Sequence, residues 1–568
     1  MSDPLTRLAV IYGTDKFGYH DYTPNYHCLF RHLRDKPIKM LEIGVGGYGD
    51  EDRGGQSLEV WRDYFPKGEI TGIDIQKKTM DLGPRVEIRQ GSQVDEEFLR
   101  TLVAERGSFD VILDDGSHRN EHVVQSFGVL FPTLKLGGIY VVEDVQTAFF
   151  PRFGGSITLD EPNSVGLFAS FVRELDEDNP SVADIASLER FHNIVVAHKH
   201  MDPNVGSGIF GSRSFEHFSG RSAQVLVIGD EECALSAFPF SVGKLHHHST
   251  LSEEDLGLKD YDIVVLSVAQ DNLKCIADMT RALTEMRDNS VLVVRCAGAL
   301  KGFRSTGPVM DFVTERFVEV DHREISIHYS DYQPSPLAKS IYAIERTRGA
   351  ILFRKAPNEY PSNLAFDLEH PAVSEALSLM ESVIADEANE GGLVSFAEIL
   401  ARHRSKLSAA TYVDRLTEMG AQSRRYFMLA ISTAYAKKDE EGALRLAELA
   451  LQHFPDEPQF TTWLSNSLVR KGDLDRAERE LRSTYERNSR ARRAAIAGLT
   501  RILMLKGELE EAAELTKSSI GMFPIKARAQ RYRFLSTVLL RMKDSAGAEQ
   551  ALMDAAECER GAGRSKAP

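Results

Sequence analysis

Asp115, His118, Glu143 and Asp144 close two short apolar runs, and together they make a set able to hold a metal and move a proton. The first run reads Val111-Ile112-Leu113-Asp114-Asp115-Gly116-Ser117-His118, and the second ends Val141-Val142-Glu143-Asp144. Apolar runs of this length, closed by acidic residues or glycine, have the pattern of buried parallel strands. The carboxyl ends of such strands form the ligand crevice of an open sheet. Clustered carboxylates repel one another unless a cation sits between them, and oxygen donors suit Mg²⁺ or Mn²⁺ better than Zn²⁺. A metal chelating an alcohol lowers its pKa, and His118, with a reference pKa of about 6.5, is then placed to take the proton as general base. Asp114 is expected to brace the turn, and His122 to lie on the following helix, outside the reaction centre. Helix capping is the bland alternative for Glu143-Asp144.

A second cluster fixes the kind of ligand. Leu41-Glu42-Ile43-Gly44-Val45-Gly46-Gly47-Tyr48-Gly49 follows the first strand, and Gly72-Ile73-Asp74-Ile75 closes the next. Gly44, Gly46 and Gly49 satisfy the dinucleotide pattern, and Asp74 is positioned to accept ribose hydroxyls. Asp50, Glu51 and Asp52 then follow, before a helix expected to begin near Ser57, a good N-cap. Three carboxylates beside a pyrophosphate would repel it. S-adenosylmethionine carries a sulfonium and an ammonium instead, so charge favours it over NAD.

The elements that must carry these residues alternate. Strands are expected at Lys39–Ile43, Glu69–Ile73, Val111–Asp115 and Ile139–Asp144, with helices such as Ser57–Tyr64 and Glu96–Glu105 between them. This is the rhythm of a parallel α/β sheet over residues 1–220. Residues 221–356 repeat it, with strands expected at Gln224–Ile228, Ile263–Leu266, Val291–Val294, Phe317–Val320, Ile341–Glu345 and Ala350–Arg354, but only one glycine follows the first of these. Pro357, Pro361 and Pro371 mark a linker that opens a helical stretch, 357–423, broken at Gly391-Gly392. From 424 to 568 a repeat appears: Ala443, Ala477 and Ala512 step by 34 and 35 residues, each after a Gly-Asp, Gly-Glu or similar turn, with a weaker copy ending at Ala548. That period, with its small alanine, resembles the tetratricopeptide repeat, which implies stacked helix pairs and a groove for a protein partner. Bracing or dimerisation is the other use of such repeats.

Taken together, Tyr12-Gly13-Thr14-Asp15-Lys16, Tyr22-Thr23-Pro24-x-Tyr26, the glycine loop, Gly72-Ile73-Asp74-Ile75, Asp114-Asp115-Gly116-Ser117-His118 and Val142-Glu143-Asp144 resemble the metal-dependent sugar O-methyltransferases of macrolide biosynthesis. The resemblance runs from about Ala9 to Gly155, and more weakly to about Gly211. It implies a Rossmann-like class I methyltransferase fold, with Asp115, Glu143 and Asp144 on Mg²⁺ and His118 as base. By the same resemblance Thr14, Lys16, Glu42, Gly44, Gly46, Asp74, Ser92 and Gln93 form the S-adenosylmethionine site. After the third strand that family tends to carry Gly-Asp, where this chain reads Gln90-Gly91-Ser92-Gln93, so an acidic contact near the adenine is lost and its role is expected to pass to Gln93. The family also places its extra domain before the catalytic part, whereas here two regions follow it.

Composition excludes other classes. The chain has 568 residues, 42% hydrophobic and 27% charged, with a net charge of −16. That balance suits several globular domains and argues against a generic nucleic-acid surface. Five scattered cysteines without C-x-x-C spacing argue against a disulfide scaffold or a thiolate zinc cluster. The start, MSDPLTRLAV, lacks a signal-peptide pattern, and no apolar run reaches membrane-spanning length, so a cytoplasmic enzyme is expected. The three consecutive histidines at 246–248 read as a solvated stretch. The leading reading is an S-adenosylmethionine- and Mg²⁺-dependent O-methyltransferase acting on a sugar hydroxyl of a natural product or bacterial glycan, in a homo-oligomer. A cephalosporin-hydroxylase-like enzyme and a repeat scaffold with a dormant methyltransferase domain remain the alternatives.

Overall fold

The computed structural model describes residues 3–177, 179–200, 215, 218, 222–229, 241–251, 257–268, 272–296, 303, 307–357, 371–386, 389–403, 405–487 and 490–564. The 220–221 boundary, the acidic run after Gly229, and Pro361 lie outside the described residues. The chain forms two compact units, Met1–Gly392 and Leu393–Pro568.

The first unit opens with helices α1 (Pro4–Tyr12) and α2 (Thr23–Phe30). Strands β1 (Lys39–Ile43), β2 (Glu69–Asp74), β3 (Val86–Gln90), β4 (Val111–Asp114) and β5 (Ile139–Glu143) then alternate with α3 (Gln56–Tyr64), α4 (Glu96–Arg106) and α5 (Asn120–Leu130). Helix α6 (Ser164–Glu174) leads into the hairpin β6 (Ile185–Phe191) and β7 (Ile194–Lys199). The strand order is β3-β2-β1-β4-β5-β7-β6. The first five strands are parallel, and β7 runs antiparallel to β5. This is a doubly wound α/β sheet, as the expected Rossmann-like class I fold requires, closed by an antiparallel hairpin. The central strands are buried on both faces, which explains their unbroken apolar runs. Side-chain alternation still sorts them. Val111 and Leu113 face Tyr26, Trp61 and Tyr64 on one side, while Ile112 and Tyr140 face Phe127 on the other.

The second region repeats the plan. It contains β8 (Ser222–Ile228), β9 (Ser241–His248), β10 (Ile263–Val268) and β11 (Ser290–Cys296), with α7 (Asn272–Glu285), α8 (Gly307–Glu319) and α9 (His322–His328), then the hairpin β12 (Ile341–Thr347) and β13 (Ala350–Lys355). The order β9-β8-β10-β11-β13-β12 is that of the first region without a counterpart of β3 among the described residues. Phe317–Val320, expected as a strand, is instead the end of α8. Its apolar residues belong to a helical stripe of Val309, Met310, Val313 and Phe317, and a short apolar run does not by itself tell strand from helix. The histidine triplet forms the exposed edge strand β9, where His246 hydrogen-bonds the Tyr261 hydroxyl.

The two regions join edge to edge. Strands β6 and β12 pair antiparallel with Glu189 opposite Glu345, completing a sheet of 13 strands among the described residues. A local two-fold relation runs through that pair. Arg190, fully buried, donates to the carbonyls of Phe317, Phe191 and Ile194 and to Asp321 Oδ2. Arg346, also fully buried, donates to the carbonyls of Val172, Thr347 and Ala350 and to Asp176 Oδ2. Each arginine thus crosses from one hairpin to the residue just beyond the helix of the other region, and burying a guanidinium is tolerated because its donors are paired. The second region also reaches the loop after β5, where Tyr329 donates to the Phe149 carbonyl at 2.6 Å. Helix α10 (Pro371–Asp386) follows, and α11 (Glu390–His403) begins at the unit boundary with the glycine pair in its first turn.

In the second unit α12 (Ala410–Glu418) precedes four helix pairs: α13 (Arg424–Ala436) with α14 (Glu440–His453), α15 (Pro458–Lys471) with α16 (Leu474–Glu486), α17 (Arg492–Lys506) with α18 (Leu509–Ser519), and α19 (Ile525–Arg541) with α20 (Ser545–Arg564). The repeat alanines 443, 477, 512 and 548 are all buried, so helices pack closely at the expected points. Lys438, Gly472, Gly507 and Lys543 take the left-handed conformation at the same place in each turn. The weak fourth copy in the sequence is therefore a full helix pair of tetratricopeptide type. No helix among the described residues is long and apolar enough to cross a membrane.

Candidate functional site

Glu42, Asp74, Asp115, His118, Glu143 and Asp144 lie at or just beyond the carboxyl ends of β1, β2, β4 and β5, beside the point where the strand order reverses, with Thr14 and Lys16 from the segment after α1 and Ser92 and Gln93 from that after β3. The alternation of the strands decides who meets whom. Glu42, Asp115 and Glu143 turn toward the α1–α3 side and surround Lys16. Its Nζ lies 2.7 Å from Asp115 Oδ2, 2.8 Å from both Glu143 oxygens and 3.5 Å from Glu42 Oε1. Burial alone would pull the Lys16 ammonium down, but Asp115, Glu143 and Glu42 outweigh it and hold it well above the ordinary lysine value, hence charged. Tyr26 donates a further hydrogen bond to Glu143 Oε1 at 2.7 Å.

Asp144 stands one residue further and takes the left-handed conformation, as does His118. Such backbone at non-glycine positions is costly and clusters where function requires it. Tyr22 donates to Asp144 Oδ1 at 2.6 Å, and Asn193 Nδ2 donates to the same oxygen at 2.9 Å. Burial pushes the Asp144 carboxyl up, but His20, His118 and the Tyr22 hydroxyl outweigh it and hold it below the ordinary aspartate value. His118 Nε2 lies 3.7 Å from Asp144 Oδ2 and 3.9 Å from Asp115 Oδ1. Asp115, His118 and Asp144 thus form a set of ligand atoms all within 4.8 Å of one another, partly open to solvent. Glu143, placed with the two aspartates by the sequence, is more deeply buried, and both its oxygens are engaged by Lys16.

The remaining expected residues are placed as follows. Glu42 Oε2 accepts from Ser57 and from Trp61, while Oε1 is buried without a hydrogen-bond partner; burial pushes this carboxyl up to about 7. Ser57 is therefore not an N-cap. Helix α3 starts one residue earlier, after left-handed Gly55, because the Ser57 hydroxyl is drawn to Glu42. Asp74 accepts the amides of Val45 and Gln76 and ties the glycine loop to β2. Thr14 is buried beside Lys16, and the Ser92 hydroxyl accepts from Val94. Gln93 spends both ends of its amide, donating to Asp114 and accepting from the Ser117 amide at 2.8 Å. Asp114, also held by Ser126, braces the loop that carries His118. His122 lies on α5 and bonds Ser117. Of the acidic run, Glu51 pairs with Lys77 and Asp52 with Thr79, so part of that charge serves to dock its own loop.

Gly44 and Gly46 both have positive φ, for opposite surroundings. A Cβ at Gly46 would meet nothing within 4 Å, leaving bare backbone facing open space, whereas one at Gly44 would stand 2.1 Å from the Asp115 carbonyl oxygen. Gly44→Ala is therefore expected to lower stability by about 1–3 kcal/mol by forcing the β1 and β4 loops apart, read as a lower urea midpoint.

Sequence reasoning gave Tyr22 and Tyr26 no role of their own. Tyr22 is the N-cap of α2 and Tyr26 lies four residues on in its first turn, a spacing that puts both on one face and was a usable signal. Asn193 and His20 carried none.

The first α/β region is similar to sugar O-methyltransferases. It is 40% identical over 225 residues to the mycinamicin VI 2''-O-methyltransferase of Micromonospora griseorubida, spanning 37% of this chain and 56% of that protein. It is 44% identical over 174 residues to an 8-demethyl-8-(2-methoxy-alpha-L-rhamnosyl)-tetracenomycin-C 3'-O-methyltransferase of Streptomyces olivaceus, spanning 30% of this chain and 45% of that one. The chain thus spans about half the length of the curated relatives it matches. Among solved structures, the MycE methyltransferase in complex with Mg, SAH and mycinamycin VI aligns at 39% identity and TM-score 0.34, over 36% of this chain and 57% of that chain. No protein-family model matches the chain.

Proposed function

We propose that the chain is an S-adenosylmethionine- and Mg²⁺-dependent O-methyltransferase that methylates a sugar hydroxyl of a glycosylated natural product or bacterial glycan. The observation that carries this reading is the convergence of Asp115, His118 and Asp144 within 4.8 Å at the strand ends. The similarity of this region to sugar O-methyltransferases at 40–44% identity supports it.

The residues fit both groups. The carboxylates of Asp115 and Asp144 are hard oxygen donors, partly open, with Glu143 behind them under Lys16. A divalent cation held there would lower the pKa of a chelating sugar hydroxyl. On the cofactor side Glu42 Oε1 is a buried acceptor with no hydrogen bond of normal length and only the Lys16 ammonium 3.5 Å away, so it could take a second ammonium group, and Gly46 offers open backbone. Asp74, whose carboxylate already accepts the Val45 and Gln76 amides, would also accept the ribose hydroxyls, and Thr14, Gly44, Ser92 and Gln93 would complete the cofactor site. S-adenosylmethionine would supply the methyl group. His118 Nε2 has no hydrogen bond of normal length to either aspartate, so it is available to accept the hydroxyl proton. Asp144 and Asp115 then stabilise the imidazolium that results.

The test is methyl transfer from labelled S-adenosylmethionine to a panel of glycosides and cell-envelope glycans. A methyl ether that disappears with chelator and returns with Mg²⁺ is expected. Absence of S-adenosylmethionine binding in calorimetry would sink the reading.

A further inference from the structure

We propose that Asn193 is a positioning residue for Asp144, held in place from the second α/β region by Asp321; this rests on the metal-dependent reading above. Asn193 occupies the turn between β6 and β7, is fully buried and is left-handed, with φ +59°. Every polar group it has is used. Its amide N–H donates to Asp321 Oδ1 at 2.7 Å, its side-chain Oδ1 accepts the Gln146 amide at 2.9 Å, and its carbonyl accepts from Val145. Nδ2 donates to Asp144 Oδ1 and to the Tyr22 hydroxyl oxygen. One side chain therefore grips the carboxylate and the backbone that follows it.

The two-fold relation across β6 and β12 supplies an internal control. The residue matching Asn193 in the second hairpin is Gly349, also left-handed, with φ +76°. Its amide N–H donates to Asp176 Oδ1 at 2.9 Å, just as that of Asn193 does to Asp321, and Arg346 caps Asp176 as Arg190 caps Asp321. The backbone task of this turn is thus done without any side chain. Glycine adopts the left-handed region at no steric cost, and any other residue there is retained against a penalty. The turn needs no side chain, so the asparagine side chain answers to what it touches: the Asp144 carboxylate, the Tyr22 hydroxyl that also holds Asp144, and the Gln146 amide just after it. An amide donor fixing a ligating carboxylate is a familiar outer support of metal sites, and removing such a support typically costs 10–100-fold in metal affinity.

Asn193→Gly separates the two tasks, since it restores the residue that the second hairpin already uses. The probe is Mn²⁺ alone, followed by the paramagnetic resonance of the free ion, with thermal unfolding and S-adenosylmethionine calorimetry alongside. Mn²⁺ affinity is expected to fall about 10-fold or more. Tm should fall modestly, because the Gln146 amide loses its acceptor, with folding retained and S-adenosylmethionine affinity unchanged. Wild-type Mn²⁺ affinity in the variant would overturn the proposal, as would loss of folding, which would make the side chain structural. Failure of the wild-type protein itself to bind Mn²⁺ would overturn this proposal and the metal-dependent reading together, whereas an unchanged variant beside a binding wild type overturns this one alone.

Discussion

A His118→Ala protein is expected to bind S-adenosylmethionine and Mn²⁺ within a few-fold of wild type yet to transfer methyl groups about 10²–10⁴-fold more slowly, the usual worth of a positioned general base. The competing role is ligation, because His118 Nε2 belongs to the same cluster as Asp115 and Asp144. One nitrogen cannot hold a cation and take a proton at the same moment, so the two roles separate cleanly. Steady-state kcat and Mn²⁺ titration on the same preparation decide between them. A loss of metal affinity beyond the roughly 10–100-fold that a lost outer support costs would make His118 a ligand. The surroundings favour the base: two hard carboxylates already face the cleft, and the imidazole stands 3.7–3.9 Å from them rather than bonded to either.

Lys16→Met should be the most destabilising single change in the α/β unit. Lys16 is almost fully buried and faces Asp115, Glu143 and Glu42. Removing it leaves three carboxylates around an apolar side chain, and breaking a buried ion pair on one side typically costs about 3–5 kcal/mol. The urea midpoint of the first unfolding transition should fall accordingly. Millimolar Mg²⁺ should recover part of the loss, because a cation that binds only the folded state stabilises it by mass action. The recovery should vanish in a Lys16→Met, Glu143→Gln double variant if Glu143 joins Asp115 and Asp144 on the ion once Lys16 is gone. Stability that Mg²⁺ does not touch would mean that these carboxylates are arranged for the lysine alone.

Much of this protein was written in its local sequence. Short apolar runs closed by acids gave β1, β2, β4 and β5 within a residue or two, because strands buried on both faces must be apolar throughout. The repeat period gave the helix pairs, because each copy carries its own turn and its own small packing residue. The strand-end rule likewise placed Glu42, Asp74, Asp115, Glu143 and Asp144 in one crevice. What failed were choices made by distant neighbours. Phe317–Val320 looked like a strand because four residues cannot distinguish a period of 2 from one of 3.6. Ser57 looked like a cap because nothing local says that Glu42, on another element, will claim its hydroxyl.

Tertiary structure alone decided the rest. The sequence supplied a crowd of carboxylates, but only the sheet's alternation put Lys16 among Asp115, Glu143 and Glu42, leaving Asp144 and His118 to face the cleft. Pairing of β6 with β12, more than 150 residues apart, turned two similar regions into one sheet and brought Asp321 to the turn that supports Asp144. The residue types fixed which chemistry was available, since carboxylate, imidazole and ammonium keep their properties wherever they sit. Which of them meet, and which are neutralised by burial and pairing, depended on contacts between residues far apart in the chain, and no local pattern encodes those.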